Sequence, residues 1–264
     1  LNLRGNARGV VLTEPMWGIP YNLYAPYASV YMLALGLRDS QIGLVASINL
    51  GLQVFWSLMS GAITDKLGRR RTTFIFDFFA WSVPCVIWAV SQNFTYFVVA
   101  AVINSSWRVT HTSWTCILVE DTDPELLVDI YTWIYIAGLL SAFFAPLAGI
   151  LISGFSLVPT VRGLYLFAAV MMTAKFVIMN LMVEEPQQGR KRLEETRGQS
   201  LFALLGEYRG VFGQFLRTPA TLYTVGIMLV MSIYYSVNSN FWGVLVTQKL
   251  LIPEEHIAIY PFAR

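Results

Sequence analysis

The sequence predicts an all-α integral membrane protein, a bundle of long apolar helices, and three observations carry that prediction. Of 264 residues, 56% are hydrophobic and 13% charged, against about 45–50% and 25% in an average soluble domain. Apolar runs recur at a length that crosses a bilayer, which takes roughly 20 helical residues. The cations gather in short stretches between those runs, as in loops held on one side of a membrane. A net charge of +2 spread over loops gives no basic face for nucleic acid.

The first helix is expected over Val10–Leu37, preceded by Arg4 and Arg8. The run is too long for a signal-peptide core, and Pro15, Pro20 and Pro26 kink it without ending it. Asp39 or Ser40 reads as the N-cap of the second helix, whose apolar run is Ile42–Ser60. Gly61–Arg71 reads as a basic loop, followed by a third helix over Thr72–Val90 and a fourth over about Phe94–Val119. The acidic turn Glu120–Glu125 reads as a solvated cap, with Asp123-Pro124-Glu125 starting the fifth helix (about Leu126–Ser153). The sixth covers about Val161–Val183. Glu184–Gln199 is too charged to enter lipid and reads as a linker. Beyond it, Leu201, Leu204, Leu205, Tyr208, Val211, Phe212, Phe215 and Leu216 form one helical stripe, the pattern of a helix lying in the interface. Thr218-Pro219 starts a seventh helix to about Val246, and Pro253 starts an eighth. Three units follow: a six-helix bundle (1–183), a cytoplasmic linker with an amphipathic helix (184–217), and the start of a second bundle (218–264).

The cations of the N-terminus, of Gly61–Arg71 and of the linker outnumber Arg38, Arg162 and Lys249 on the other side. The N-terminus is therefore expected in the cytoplasm, with the protein in the plasma (inner) membrane. Cys85 and Cys116 fall inside apolar runs and read as buried thiols. The two histidines stand far apart, and no cluster has metal-ligand spacing. No Gly-Lys-Ser/Thr occurs, so the glycines and lysine of Gly61–Arg71 are not a phosphate loop. No nucleophile–base pair or paired carboxylates stand at membrane depth, so an enzyme is not expected, nor any cofactor.

The spacing Gly61-x3-Asp65-Lys66-x-Gly68-Arg69-Arg70-Arg71 closely resembles the signature loop between helices two and three of the major facilitator superfamily. That resemblance implies two six-helix halves around a midplane site, each half a 3+3 inverted repeat. It also implies that Asp65 and Arg69 latch the halves, the acid engaging the other half when the cavity opens outward. By the same resemblance this chain is the N-terminal half and the start of the C-terminal half of a longer carrier, its partners being the lipid bilayer, a small-molecule solute and the remainder of the second half. Ser141-x3-Ala145-Pro146-x2-Gly149 on helix five resembles the proline–glycine motif of exporters, with Ser141 and Ala145 in place of glycines. Small residues at that spacing also let helices pack closely.

A charge at membrane depth costs at least about 2.5–3.5 kcal/mol, so one that persists is a functional candidate. Arg108, near the middle of helix four, is the strongest, either lining a central cavity for an anionic group or held in a structural pair. Its setting resembles the arginine motif of proton-coupled members, with His111 and Thr112 departing from it. Glu14 is the candidate proton carrier; Asp77 is expected one turn inside, supporting the signature loop, and Lys175 is expected to snorkel to the surface. Asn22, Tyr24, Asn104, Tyr234, Tyr235 and Asn238 offer hydrogen-bonding groups to a path, or packing. The expected function is secondary active transport of a small solute, coupled to protons or sodium; the alternative is a sensor or non-transporting subunit with the same fold.

Overall fold

Prolines, glycines and serines decide where the helices break, and the breaks set the shape of the interior. The computed structural model of the chain describes residues 3–201, 203–206 and 217–259. The first span is α1 (Gly5–Tyr24), a 3₁₀ turn at Ala25–Tyr27 around Pro26, and α2 (Ala28–Ala34). The second is one unbroken helix, α3 (Asp39–Leu67). The third joins α4 (Arg69–Asp77) to α5 (Val83–Ala89) through a π-helical turn at Phe78–Ser82. The fourth is α6 (Phe94–Asn104) and α7 (Trp107–Val119), and the fifth is α8 (Leu127–Ala142) and α9 (Ala145–Phe155). The sixth is α10 (Leu157–Met182); α11 (Gln187–Glu195) and α12 (Pro219–Val244) follow. Every element assigned among the described residues is helical.

Several expectations change. Gly61–Arg71 is not a loop: α3 runs through Leu67 and α4 begins at Arg69, leaving Gly68 alone as the break. Gly68 has φ +84°, ψ 154°, a region that only glycine enters without strain. The second helix is capped at Arg38, whose N–H donates to Gln41 Oε1 at 2.9 Å, rather than at Asp39 or Ser40. Asp123 makes no side-chain cap, and Pro124–Leu126 forms a 3₁₀ turn before α8. Helix four breaks at Ser105–Ser106, whose hydroxyls donate to the carbonyls of Val102 and Ile103, and helix five breaks at Phe143–Phe144 ahead of Pro146. The linker contains α11; after Pro253 come a 3₁₀ turn at Glu254–His256, a turn at 257–258 and a helical Ile259, and the rest of the expected eighth helix lies outside the described residues. The interfacial stripe from Tyr208 to Leu216 lies outside the described residues.

The packed interior has two centres. One is aromatic and lies away from Gly68: Tyr27, Tyr31, Phe97, Tyr165 and Phe176 are fully buried with Met172 and Val161. Arg162 ties that end together, donating to Ser91 O at 2.9 Å and to the Tyr31 hydroxyl, which itself donates to Trp88 O. The other, toward the Gly68 end, joins Val10, Ile117, Leu118, Ile130, Met179 and Val183. Large apolar side chains face outward on α8, α9, α10 and α12, Phe155, Val170 and Leu181 among them, which is the surface a bilayer covers. The second, third, fifth, sixth and seventh spans are each long and apolar enough to cross a membrane without help.

Candidate functional site

Between the six-span bundle and α12 lies a cavity of about 1190 Å³. Its wall draws on every span except the fifth, and polar residues that would be costly against lipid converge on it.

Arg108 enters from α7, just past the Ser105–Ser106 turn. Its Nε donates to Gln53 Oε1 at 2.9 Å, and the guanidinium stacks 4.3 Å from the Trp107 ring centroid. A chain of amides continues from it. Gln53 Nε2 donates to Asn49 Oδ1 at 2.5 Å, and Asn49 Nδ2 to Ala101 O at 2.8 Å and to Asn104 Oδ1 at 3.3 Å. Asn104 Nδ2 then donates to Ala80 O at 2.8 Å, inside the π turn whose altered pitch releases that carbonyl. Every amide is oriented by its neighbours; the network holds the guanidinium at its Nε, Trp107 covers one of its faces, and Arg108 lines the cavity. Among the described residues no carboxylate pairs with Arg108. The arginine is thus fixed by neutral groups, an arrangement that leaves its charge for an anion.

Glu14, Asp77 and Lys175 form a second cluster. Lys175 does not snorkel: it is 4% exposed, and its Nζ sits 3.3 Å from Glu14 Oε2. Nor does Asp77 support the Gly68 break: it is buried, lines the cavity, and lies within electrostatic reach of Lys175 and Glu14. The depth of Asp77 follows from the early start of α4 at Arg69, and that of Glu14, which holds Lys175, from the start of α1 at Gly5. Those starts put Glu14 and Asp77 about 12–14 Å from the helix ends at 1.5 Å per residue, more than two turns in rather than one.

The other predicted path residues also line the cavity: Asn22, Tyr24, His111, Tyr234, Tyr235 and Asn238. Asn22 Nδ2 donates back to Gly18 O, and His111 packs edge-on against Trp107 at 5.8 Å. Tyr24 belongs to the aromatic core, 4.8 Å from Tyr165. Trp17, Tyr21 and Trp81 add a stacked aromatic wall, Trp17 lying 4.7 Å from Tyr21 and 5.1 Å from Trp81. Sequence reasoning missed Gln53 and Asn49, although polar amides four residues apart inside an apolar run were the available signal.

The helix-five motif serves close packing. A Cβ on Gly18 would meet Ser141 Oγ at 2.6 Å, and one on Gly149 would overlap the carbonyl oxygen of Glu255. Ala145 is fully buried.

At the Gly68 end the signature residues form a charged clamp. Arg69 is 4% exposed; its Nε and Nη2 donate to Glu120 and its Nη1 pairs with Asp65 at 2.9 Å. Asp65 also receives Arg192 Nε and Nη2 at 3.0 and 2.9 Å, so its partners here include the linker helix α11. Glu185 caps α4, accepting from the backbone N–H groups of Arg69 (2.6 Å) and Arg70 (2.9 Å). Arg70 Nε donates to Asn180 O and Lys66 Nζ to Gln199 O. Gly61 lies inside α3, and Arg71 is exposed. Within the acidic turn Glu120 is drawn into the clamp by Arg69, whereas Asp121 stays exposed and accepts the Gln187 N–H at 3.2 Å.

A helical membrane bundle with charged hinges at one end and polar groups gathered on a solute-sized interior defines a polytopic carrier-type fold. The family profile of the Major Facilitator Superfamily matches residues 17–251, and the chain belongs to that superfamily. It is similar to the nitrate/nitrite transporter NrtP of Picosynechococcus sp., 30% identical over 80 residues, which is 30% of this chain and 15% of that protein. The chain thus matches well under two thirds of that relative's length.

Proposed function

We propose that the protein is a secondary active transporter that carries a small solute through this cavity by alternating access, coupled to an ion gradient. The observation that carries the reading is Arg108, positioned by an amide network and one aromatic ring, with no carboxylate partner among the described residues. Such a charge at membrane depth is retained where it binds an anion, so the solute is read as one bearing an anionic group. The similarity to a nitrate/nitrite transporter agrees with an anionic solute, and the cavity volume and aromatic wall favour an organic one. The concentration of Lys and Arg at the Gly68 end favours an N-terminus and linker on the cytoplasmic side of the plasma membrane.

The test is uptake of labelled organic anions into proteoliposomes under an imposed ion gradient. Arg108→Gln is expected to lower uptake about 10- to 100-fold, the loss of one or two charge-assisted hydrogen bonds, while Arg108→Lys keeps part of it. Uptake equal to wild type in Arg108→Gln would refute the role of this residue, and anion binding without uptake would mark a sensor.

A further inference from the structure

The cluster of Glu14, Asp77 and Lys175 has an uneven charge: two carboxylates share one ammonium inside the membrane. Lys175 is 4% exposed and Asp77 3%. Lys175 is committed to Glu14 at 3.3 Å, while Asp77 Oδ2 is buried with no hydrogen-bond partner among the described residues, the Thr110 hydroxyl being the one polar group of α7 within reach of its carboxyl. Around Asp77, α7 contributes only the hydroxyl of Thr110 nearby, with His111 and Arg108 further along the wall. The stretch of α3 that lines the cavity has no ionisable group. From α8, Tyr135 faces Glu14 across a separate crevice. No second cation therefore balances the second carboxylate among these neighbours, and an uncompensated charge inside the membrane is costly.

We infer that Glu14, Asp77 and Lys175 together form a binding site for a single exchangeable proton. In the arrangement described, the proton forms an O–H bond on Asp77, and Lys175 and Glu14 are the ion pair. On release to cavity water, Asp77 becomes an anion and competes with Glu14 for Lys175, so the ammonium moves between the two carboxylates. Because the cluster shares its cavity with Arg108, the charge reaching Lys175 also alters the field that a bound anion meets. This deepens the transport reading by naming the site of its coupling ion, but proton binding itself does not depend on transport.

The experiment is pH-difference infrared spectroscopy of the purified chain in lipid nanodiscs, with no solute added. Wild type is expected to show a protonated-carboxyl band at neutral pH. Asp77→Asn and Glu14→Gln are each expected to lose it, since either change leaves one carboxylate for one ammonium. Lys175→Met is expected to strengthen it, since the cluster then has no cation to balance either carboxyl. Asp77→Glu keeps the geometry and should retain a shifted band, which covers the case of an Asp77→Asn chain that does not fold. Absence of the band in wild type at neutral pH overturns the proposal, as does its persistence in Asp77→Asn. A wild-type band alongside failed anion uptake would overturn the transport reading and leave the proton site standing.

Discussion

Gly68 fixes the relation between α3 and α4. With φ +84° and ψ 154°, and Glu185 Oε2 3.0 Å from where a Cβ would stand, it tolerates no side chain without strain. Gly68→Ala is expected to destabilise the fold by about 1–3 kcal/mol, read as a lowered midpoint of thermal unfolding in detergent; an unchanged midpoint would contradict the role given to this backbone. At the same scale, the place of the half-buried Arg108 on the cavity wall was legible, because an arginine far inside an apolar run has nowhere else to go. The depth of Asp77 and Lys175 was not legible. Hydropathy placed the third helix at Thr72, since three arginines look like a loop. In the fold, Arg69 and Arg70 lie within α4 because Glu120, Glu185 and the carbonyl of Asn180 accept their N–H groups. Those partners lie 51 to 116 positions away along the chain, beyond the reach of any local pattern.

At the scale of elements, the Gly68 end is a clamp of three pieces. The α3–α4 break, the end of α7 and the linker helix α11 are joined by Asp65, Arg69, Glu120, Glu185 and Arg192. Gly189 belongs to it too, since a Cβ there would overlap Glu185. Removing Asp65 leaves Arg69 and Arg192 facing each other without that carboxylate, so Asp65→Ala is expected to loosen α11 and slow transport while membrane insertion is unchanged. Hydrogen exchange across Gln187–Glu195 should rise about tenfold, the cost of roughly 1.4 kcal/mol in a locally opened state; exchange and transport at wild-type rates would contradict the clamp. The signature glycines, acid and basic run were visible in the sequence, and the partners supplied by α11 were not. The broken spans were legible in part. Prolines announced the kink in the first span, whereas Pro146 was read only as part of a packing motif, and the π turn at Phe78–Ser82 has no sequence mark until Asn104 is seen to hold the Ala80 carbonyl.

At the scale of the whole molecule, an apolar exterior surrounds an interior that holds Arg108, Glu14, Asp77 and Lys175 in one cavity. Composition and span length were enough to read the all-α membrane bundle, since the bilayer demands both. The cavity was not readable that way, because it arises where α12 meets spans that are remote in the chain. The transport we propose requires this cavity to open alternately to the two faces of the membrane. The most direct measurement places one cysteine in its wall, Ala46→Cys on α3 with Cys85 and Cys116 replaced, and labels it with an impermeant thiol reagent from each face in turn. Alternating access predicts labelling from both faces, with the ratio shifting when a bound anion changes the populations of the two states. Labelling from one face alone, whatever the anion or the pH, would contradict it.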